Sequence, residues 1–201
     1  TTNSNKLSFS ITTIGFSNNI IERNNAKLND DIYVTGNIGD AYIGLKAIQN
    51  KFKLNSKFKK YFTYQYYCPN LPFNFCKYIK KIANTSMDIS DGLLSDLKKL
   101  INEQKLSFEI EINKIPVSKM LTEYLKKTNK KKEDFLFSGD DYQILFTSSK
   151  KNRKFIKKIS NKMNQKITII GKINNKFCKN TLLLNNKALN LSSFKGYSHK
   201  F

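Results

Sequence analysis

Two rhythms of apolar residues run along this chain. A two-residue alternation, the mark of a strand with one buried face, covers Leu7 to Phe16, Ile32 to Thr35, Phe108 to Ile112 and Tyr142 to Thr147. Short apolar runs at Ile167 to Ile170 and Thr181 to Leu184 read as two further strands. A three-to-four-residue spacing predicts helices. It appears after Asp40 (Ala41, Gly44, Leu45, Ile48), over Phe73 to Ile82, over residues 91–103 (Leu93, Leu94, Leu97, Leu100, Ile101), and at Phe155, Ile156, Ile159 and Met163. Ser17 to Asn29 is polar and reads as a connection, and Pro116 opens a turn or helix. Residues 50–72 are rich in Lys and Tyr, and Pro69 and Pro72 are expected to break any regular element there. The mixed order of elements predicts an α+β fold, with helices against one face of a mainly antiparallel or mixed sheet.

Composition narrows the class. The 201 residues, 39% hydrophobic and 12% aromatic, suffice for one substantial core. No apolar run approaches the roughly 18 to 20 residues that span a bilayer, so no membrane association is expected. The net charge of +21 raises nucleic acid as a partner, but 34 of the 36 basic residues are Lys, and Asn occurs 25 times. Lys, Asn and Ile follow AT-rich codons, whereas readers of bases and phosphates draw on the planar fork of Arg. The lysines are therefore read as a solvated surface, with a basic nucleic-acid-binding module as the rival. Three cysteines and one histidine form no zinc set, and the thiols are expected to be reduced in a cytoplasmic protein. The chain opens Thr1-Thr2 without Met and reads as a piece of a longer protein.

In so basic a chain, clustered acids that abut apolar runs stand out. Asp88-Ile89-Ser90-Asp91-Gly92 lies between an extended piece, Thr85 to Asp88, and the helix over 91–103. If Asp88 ends a strand, Ser90 projects to the same side, and two carboxylates with a hydroxyl can hold magnesium whose remaining shell is water and phosphate. The alternative is Ser90 or Asp91 as a plain N-cap of the helix, which leaves Asp88 without a role. Ser138-Gly139-Asp140-Asp141-Tyr142 is either a turn presenting a carboxylate at a strand end or an ordinary polar turn. Thr35-Gly36-Asn37-Ile38-Gly39-Asp40 is either an anion cradle at a helix start or a simple strand-to-helix turn. No Walker loop and no Ser/His or Cys/His nucleophile set is present.

Taken in order, these segments resemble the thiamine-monophosphate kinase family, of the group that also holds aminoimidazole-ribonucleotide synthetase and selenophosphate synthetase. The matching pieces are Thr1-Thr2, Ile14-Gly15, Arg23 to Ala26 with Asp30 or Asp31, Val34 to Asp40, Met87 to Leu93, Ser138 to Ile144, Ile170-Gly171, and Gly196-Tyr197-Ser198-His199. The resemblance implies the C-terminal domain of the aminoimidazole-ribonucleotide synthetase-like fold over residues 17–201. Residues 1–16 would be the last strand of an N-terminal ATP-binding domain, which pairs into a homodimer in the full-length protein. It further implies Mg2+-assisted transfer of the ATP γ-phosphate to thiamine monophosphate. Asp88 would be catalytic and, with Asp91, a magnesium ligand. Arg23 and Ser90 would bind ATP; Asp140 and Tyr197 would hold the thiamine moiety.

The chain departs from the family pattern at several points. Ser138 stands for a glycine, Asp140 where Glu is common, and Gln143 for an acid. Lys200 separates His199 from Phe201, and an arginine-bearing segment has become Tyr67 to Pro72. Another ATP-using member of the same group is the nearest competing reading. The intact Met87 to Leu93 run favours the thiamine branch.

Overall fold

A computed structural model describes residues 10–102, 104–175 and 177–191. Its strands join one sheet. They are β1 (Asp31–Thr35), β2 (Thr85–Asp88), β3 (Leu106–Glu111), β4 (Ile144–Ser148), β5 (Ile167–Asn175), β6 (Thr181–Leu184) and β7 (Lys187–Leu189), in the spatial order β2-β4-β1-β5-β3-β6-β7. Every pairing is antiparallel except β3 with β6, so the sheet is mixed, as the sequence suggests. The helices are α1 (Asp40–Ile48), α2 (Ser56–Tyr67), α3 (Phe73–Ile79), α4 (Leu93–Leu100), α5 (Lys119–Thr128) and α6 (Arg153–Lys162).

Helices cover both faces of the sheet rather than one. Alternation along β1 and β4 explains this, because successive residues of a strand face opposite ways. Ile32, Val34 and Leu145 pack into one core with Leu93, Leu94 and Leu97 of α4. Tyr33 and Phe146 turn to the other side, where they stack with centroids 4.9 Å apart and meet Phe75 of α3 and Ile156 and Ile159 of α6. Asp31 at the start of β1 ties α6 to the sheet through a two-pronged ion pair with Arg153, both contacts at 2.6 Å. A third cluster, Ile43, Phe58, Phe62, Leu121, Tyr124 and Phe135, joins α1, α2 and α5.

Four local expectations change. Residues 50–72 hold a twelve-residue helix, α2, where none was expected. The Asn55 side chain caps it by accepting from Phe58 N at 2.9 Å, Phe58 and Phe62 bury one face, and both prolines fall beyond its end. The helix over 91–103 shortens to α4, because Gly92 (φ 117°) lies outside the helical region and Ile101 ends the helix. Tyr142 (φ 48°) stands outside β4 for the same reason. Within the span expected as a strand from Leu7 to Phe16, residues 10–16 form none, and Ile11, Ile14 and Phe16 are exposed; residues 7–9 lie outside the described residues.

Candidate active site

Antiparallel pairing brings the three sequence clusters to one end of the sheet. β2 runs toward that end and β4 away from it, with Asp88 opposite Ile144. The acids after β2 and those before β4 must therefore meet. Backbone bonds continue the ladder past the strands: Ile89 N donates to Gln143 O at 2.8 Å, Tyr142 N to Ile89 O at 2.8 Å, and Asp140 N to Ser90 O at 2.9 Å. Gly92 and Gly139 make this approach feasible. A Cβ on Gly92 would lie 2.2 Å from Phe137 O, and one on Gly139 2.3 Å from Ser90 O, with φ +117° and +83°.

The turn that carries Ser90 and Asp91 is held by a residue that none of the sequence motifs marks as special. Asp96, in the first turn of α4, folds back and accepts from the backbone N–H of Ser90 (3.0 Å), Asp91 (3.0 Å) and Gly92 (3.1 Å) with one oxygen. Neither Ser90 nor Asp91 caps the helix, so the capping alternative is removed. Burial pushes the Asp96 carboxyl up, opposed by its bond from Lys99 and the backbone bond from Asp91. Lys99 ion-pairs with both Asp91 and Asp96, the latter at 3.1 Å, and its bond to Asp91 raises its own pKa. An acid five residues after Asp91 on a helical spacing was the available signal, hidden by its likeness to a surface helix residue.

Asp141 turns inward and occupies the start of α1. Its carboxylate takes Gly39 N with both oxygens, at 2.9 and 3.0 Å. The Thr35 to Asp40 turn is thus no anion cradle, because an internal carboxylate already fills it. Burial drives the Asp141 carboxyl well above the usual range, eased by the Gly39 N–H. Asp40 beside it is also buried. It accepts from Ser118 Oγ at 2.8 Å and Tyr61 OH at 3.0 Å, and burial pushes its pKa up to about 6 against those two bonds. Gln143, where the family pattern has an acid, accepts from Thr35 Oγ1 at 2.9 Å and donates to Asn70 O at 2.8 Å. These groups line a polar cavity of about 180 Å³ between the α1 start and the 69–70 segment.

Of the residues singled out from sequence, Asp88, Ser90, Asp91 and Asp140 come together. Asp88 is exposed at the end of β2, while Ser90, Asp91 and Asp140 are half-buried. Asp140, itself in the left-handed region at φ 62°, has its carboxyl pushed up first by burial and then by the Asp91 charge. Tyr142 is raised by burial and next by Asp140 and Asp88, which marks one shared field of negative charge. Arg23 is exposed and stands apart. Its neighbours are pinned elsewhere: Glu22 O accepts from Thr85 Oγ1 at 2.6 Å and Asn24 N donates to Leu100 O at 2.8 Å. Thr85 begins β2, about 10 Å along the strand from Asp88. Tyr197 lies outside the described residues. The clustered donors are hard carboxylate oxygens, which suit magnesium. Among the described residues no group of three or more His, Cys, Asp or Glu side chains is arranged to hold a metal, so water and phosphate would complete any shell.

The fold and the paired acid loops define a class. The chain belongs to the family of AIR synthase related proteins, whose C-terminal domain model matches residues 62–178. Within it, the chain is similar to thiamine-monophosphate kinases. It is 36% identical to the one from Buchnera aphidicola subsp. Schizaphis graminum over 98% of this chain and 62% of that protein. It is 34% identical to the Aquifex aeolicus enzyme over 73% of this chain and 48% of that one. Among solved structures, AaThiL complexed with AMPPCP and TMP matches at 30% identity with a TM-score of 0.72, covering 90% of this chain and 54% of the other. The chain therefore spans about half to three-fifths of the length of the relatives it matches. Among the described residues no helix is long and apolar enough to cross a membrane.

Proposed function

We propose that this chain is the C-terminal part of a thiamine-monophosphate kinase, which transfers the γ-phosphate of ATP to thiamine monophosphate and yields thiamine diphosphate. The observation that carries this reading is the backbone zipper joining Ser90 to Asp140, which puts Asp88, Asp91 and Asp140 at one strand end. The acceptor is itself a phosphate, already anionic, so the reaction needs no general base. Its obstacle is repulsion between the acceptor and the triphosphate, and phosphoryl transfer is governed by alignment and charge. Asp88 and Asp91 would hold magnesium, which would supply positive charge against this repulsion.

Each residue then has a task. Asp88 faces solvent at the strand end, where it would help hold the metal. Ser90 presents a hydroxyl to ATP, from a turn that Asp96 keeps rigid. Arg23 contacts the ATP phosphates from the far end of β2 with its planar fork. Asp140 offers its carboxylate to the cationic thiamine ring, and Tyr197 stacks on that ring. Residues 17–201 belong to the C-terminal domain, and residues 1–16 would belong to an N-terminal ATP-binding domain of the full-length protein. The full-length protein is a cytoplasmic homodimer with no nucleic-acid partner.

The test is Asp88→Asn in the full-length protein. Thiamine diphosphate formation should fall by at least about a hundredfold, the order seen when one charge-stabilising group is lost, with the circular dichroism spectrum unchanged. Turnover near that of the unaltered protein would sink the metal assignment. The 201-residue chain alone should form no thiamine diphosphate.

A further inference from the structure

The Asp91 carboxylate already has a cation on it. Lys99 bonds to Asp91 and, at 3.1 Å, to Asp96, with the three side chains 39%, 25% and 0% exposed for Lys99, Asp91 and Asp96. Asp96 cannot give way. One of its oxygens holds three backbone N–H groups and the other takes Lys99. Asp91 is the open end of the triad. We infer that Lys99 competes with the divalent cation for Asp91, and that it thereby sets the metal affinity of the site.

Metal and lysine would share one carboxylate. A magnesium ion bonds carboxylate oxygen at about 2.0 to 2.1 Å, and an ammonium on the same oxygen would place two cations within a few ångströms. One must move. The lysine stem is flexible, and Lys99 sits three residues after Asp96 on α4, so it can leave Asp91 and stay on Asp96. Without metal, the ammonium offsets the Asp91 charge, which otherwise acts on Asp140. This competition rests on Asp91 as a metal ligand, the role proposed for it above.

The experiment titrates the 201-residue chain with Mn2+ and reads free ion by electron paramagnetic resonance. Lys99→Met keeps the stem and removes the charge; affinity should rise by at least about fivefold, the worth of one unit charge at 4 Å in water. Lys99→Arg keeps the charge and adds a fork that grips Asp91 with two bonds, so affinity should fall by a similar factor. In an Asp91→Asn background, adding Lys99→Met should leave the affinity unchanged, an outcome that a merely structural lysine would not produce. Weaker or unchanged binding in Lys99→Met, tighter binding in Lys99→Arg, or no Mn2+ binding by any version would overturn the proposal. If Lys99→Met fails to fold, Lys99→Arg decides. Failure of the kinase assignment reads differently: Mn2+ competition would persist while the full-length protein formed no thiamine diphosphate.

Discussion

Asp40 links pH to stability through a single buried carboxyl. It is 6% exposed, its oxygens accept from Ser118 and Tyr61, and its pKa rises from 3.8 to about 6. A folded-state pKa above the unfolded one means that the folded chain holds the proton longer. Asp40's contribution is therefore most favourable below about 3.8 and is lost as pH rises toward and through about 6. A shift of roughly two units is worth about 3 kcal/mol when complete. Asp40→Asn keeps the shape and removes the titration. Its offset at any one pH includes the altered bonds to Ser118 and Tyr61, so the informative quantity is a slope. Urea unfolding between pH 4 and pH 7 should show the variant gaining about 2 to 3 kcal/mol relative to the unaltered chain across that window. Asp141 titrates beside it, raised by burial, and continues to give both proteins some decline. Curves that stay parallel over the whole window would refute the reasoning.

Two further substitutions probe the same end of the sheet. Gly139→Ala places a methyl 2.3 Å from Ser90 O at a φ of +83°, so it should cost about 1 to 3 kcal/mol in thermal unfolding and separate the two acid loops. Gln143→Glu replaces the amide that donates to Asn70 O with an acceptor and adds charge beside Asp40 and Asp141. It should destabilise by about 1 to 3 kcal/mol, more at pH 8 than at pH 5, and equal urea midpoints for both proteins at pH 8 would contradict this.

Most of the architecture was legible because the signals were local. The alternation of Ile32, Tyr33 and Val34, the helix spacing of Leu93, Leu94 and Leu97, and the acids beside them all read directly from neighbours in sequence. What escaped depended on partners distant in the chain. Helix α2 has a mean composition that reads as surface, and only its packing of Phe58 and Phe62 against α1 and α5 makes it regular. The two-faced sheet follows from Tyr33 and Phe146 stacking across strands 113 residues apart, which no local window contains. Residues 10–16 alternate like a strand, yet no strand among the described residues pairs with them. At the site, sequence located both acid pairs but could not divide the labour within them.

That division is the main lesson of the structure. Each acid cluster supplies one group to the scaffold and leaves others toward solvent. Asp141 turns inward and takes the N–H of Gly39, while its neighbour Asp140 stays half-exposed. Asp96 turns inward and takes three N–H groups, while Asp88 stays exposed at the strand end and Asp91 is half-buried against Lys99. The buried members carry a desolvation penalty, visible as raised pKa values at Asp96 and Asp141. In a chain of net charge +21, lysine could have neutralised every one of them at the surface. The buried carboxylates Asp96 and Asp141 bind backbone N–H groups, which are fixed in direction and cannot drift as a lysine head can, and Lys99 takes only the second oxygen of Asp96. Rigid turns follow, and the outer carboxylates inherit that rigidity. The phosphoryl transfer proposed above would need such fixed placement more than reactive groups, because alignment and charge carry that reaction.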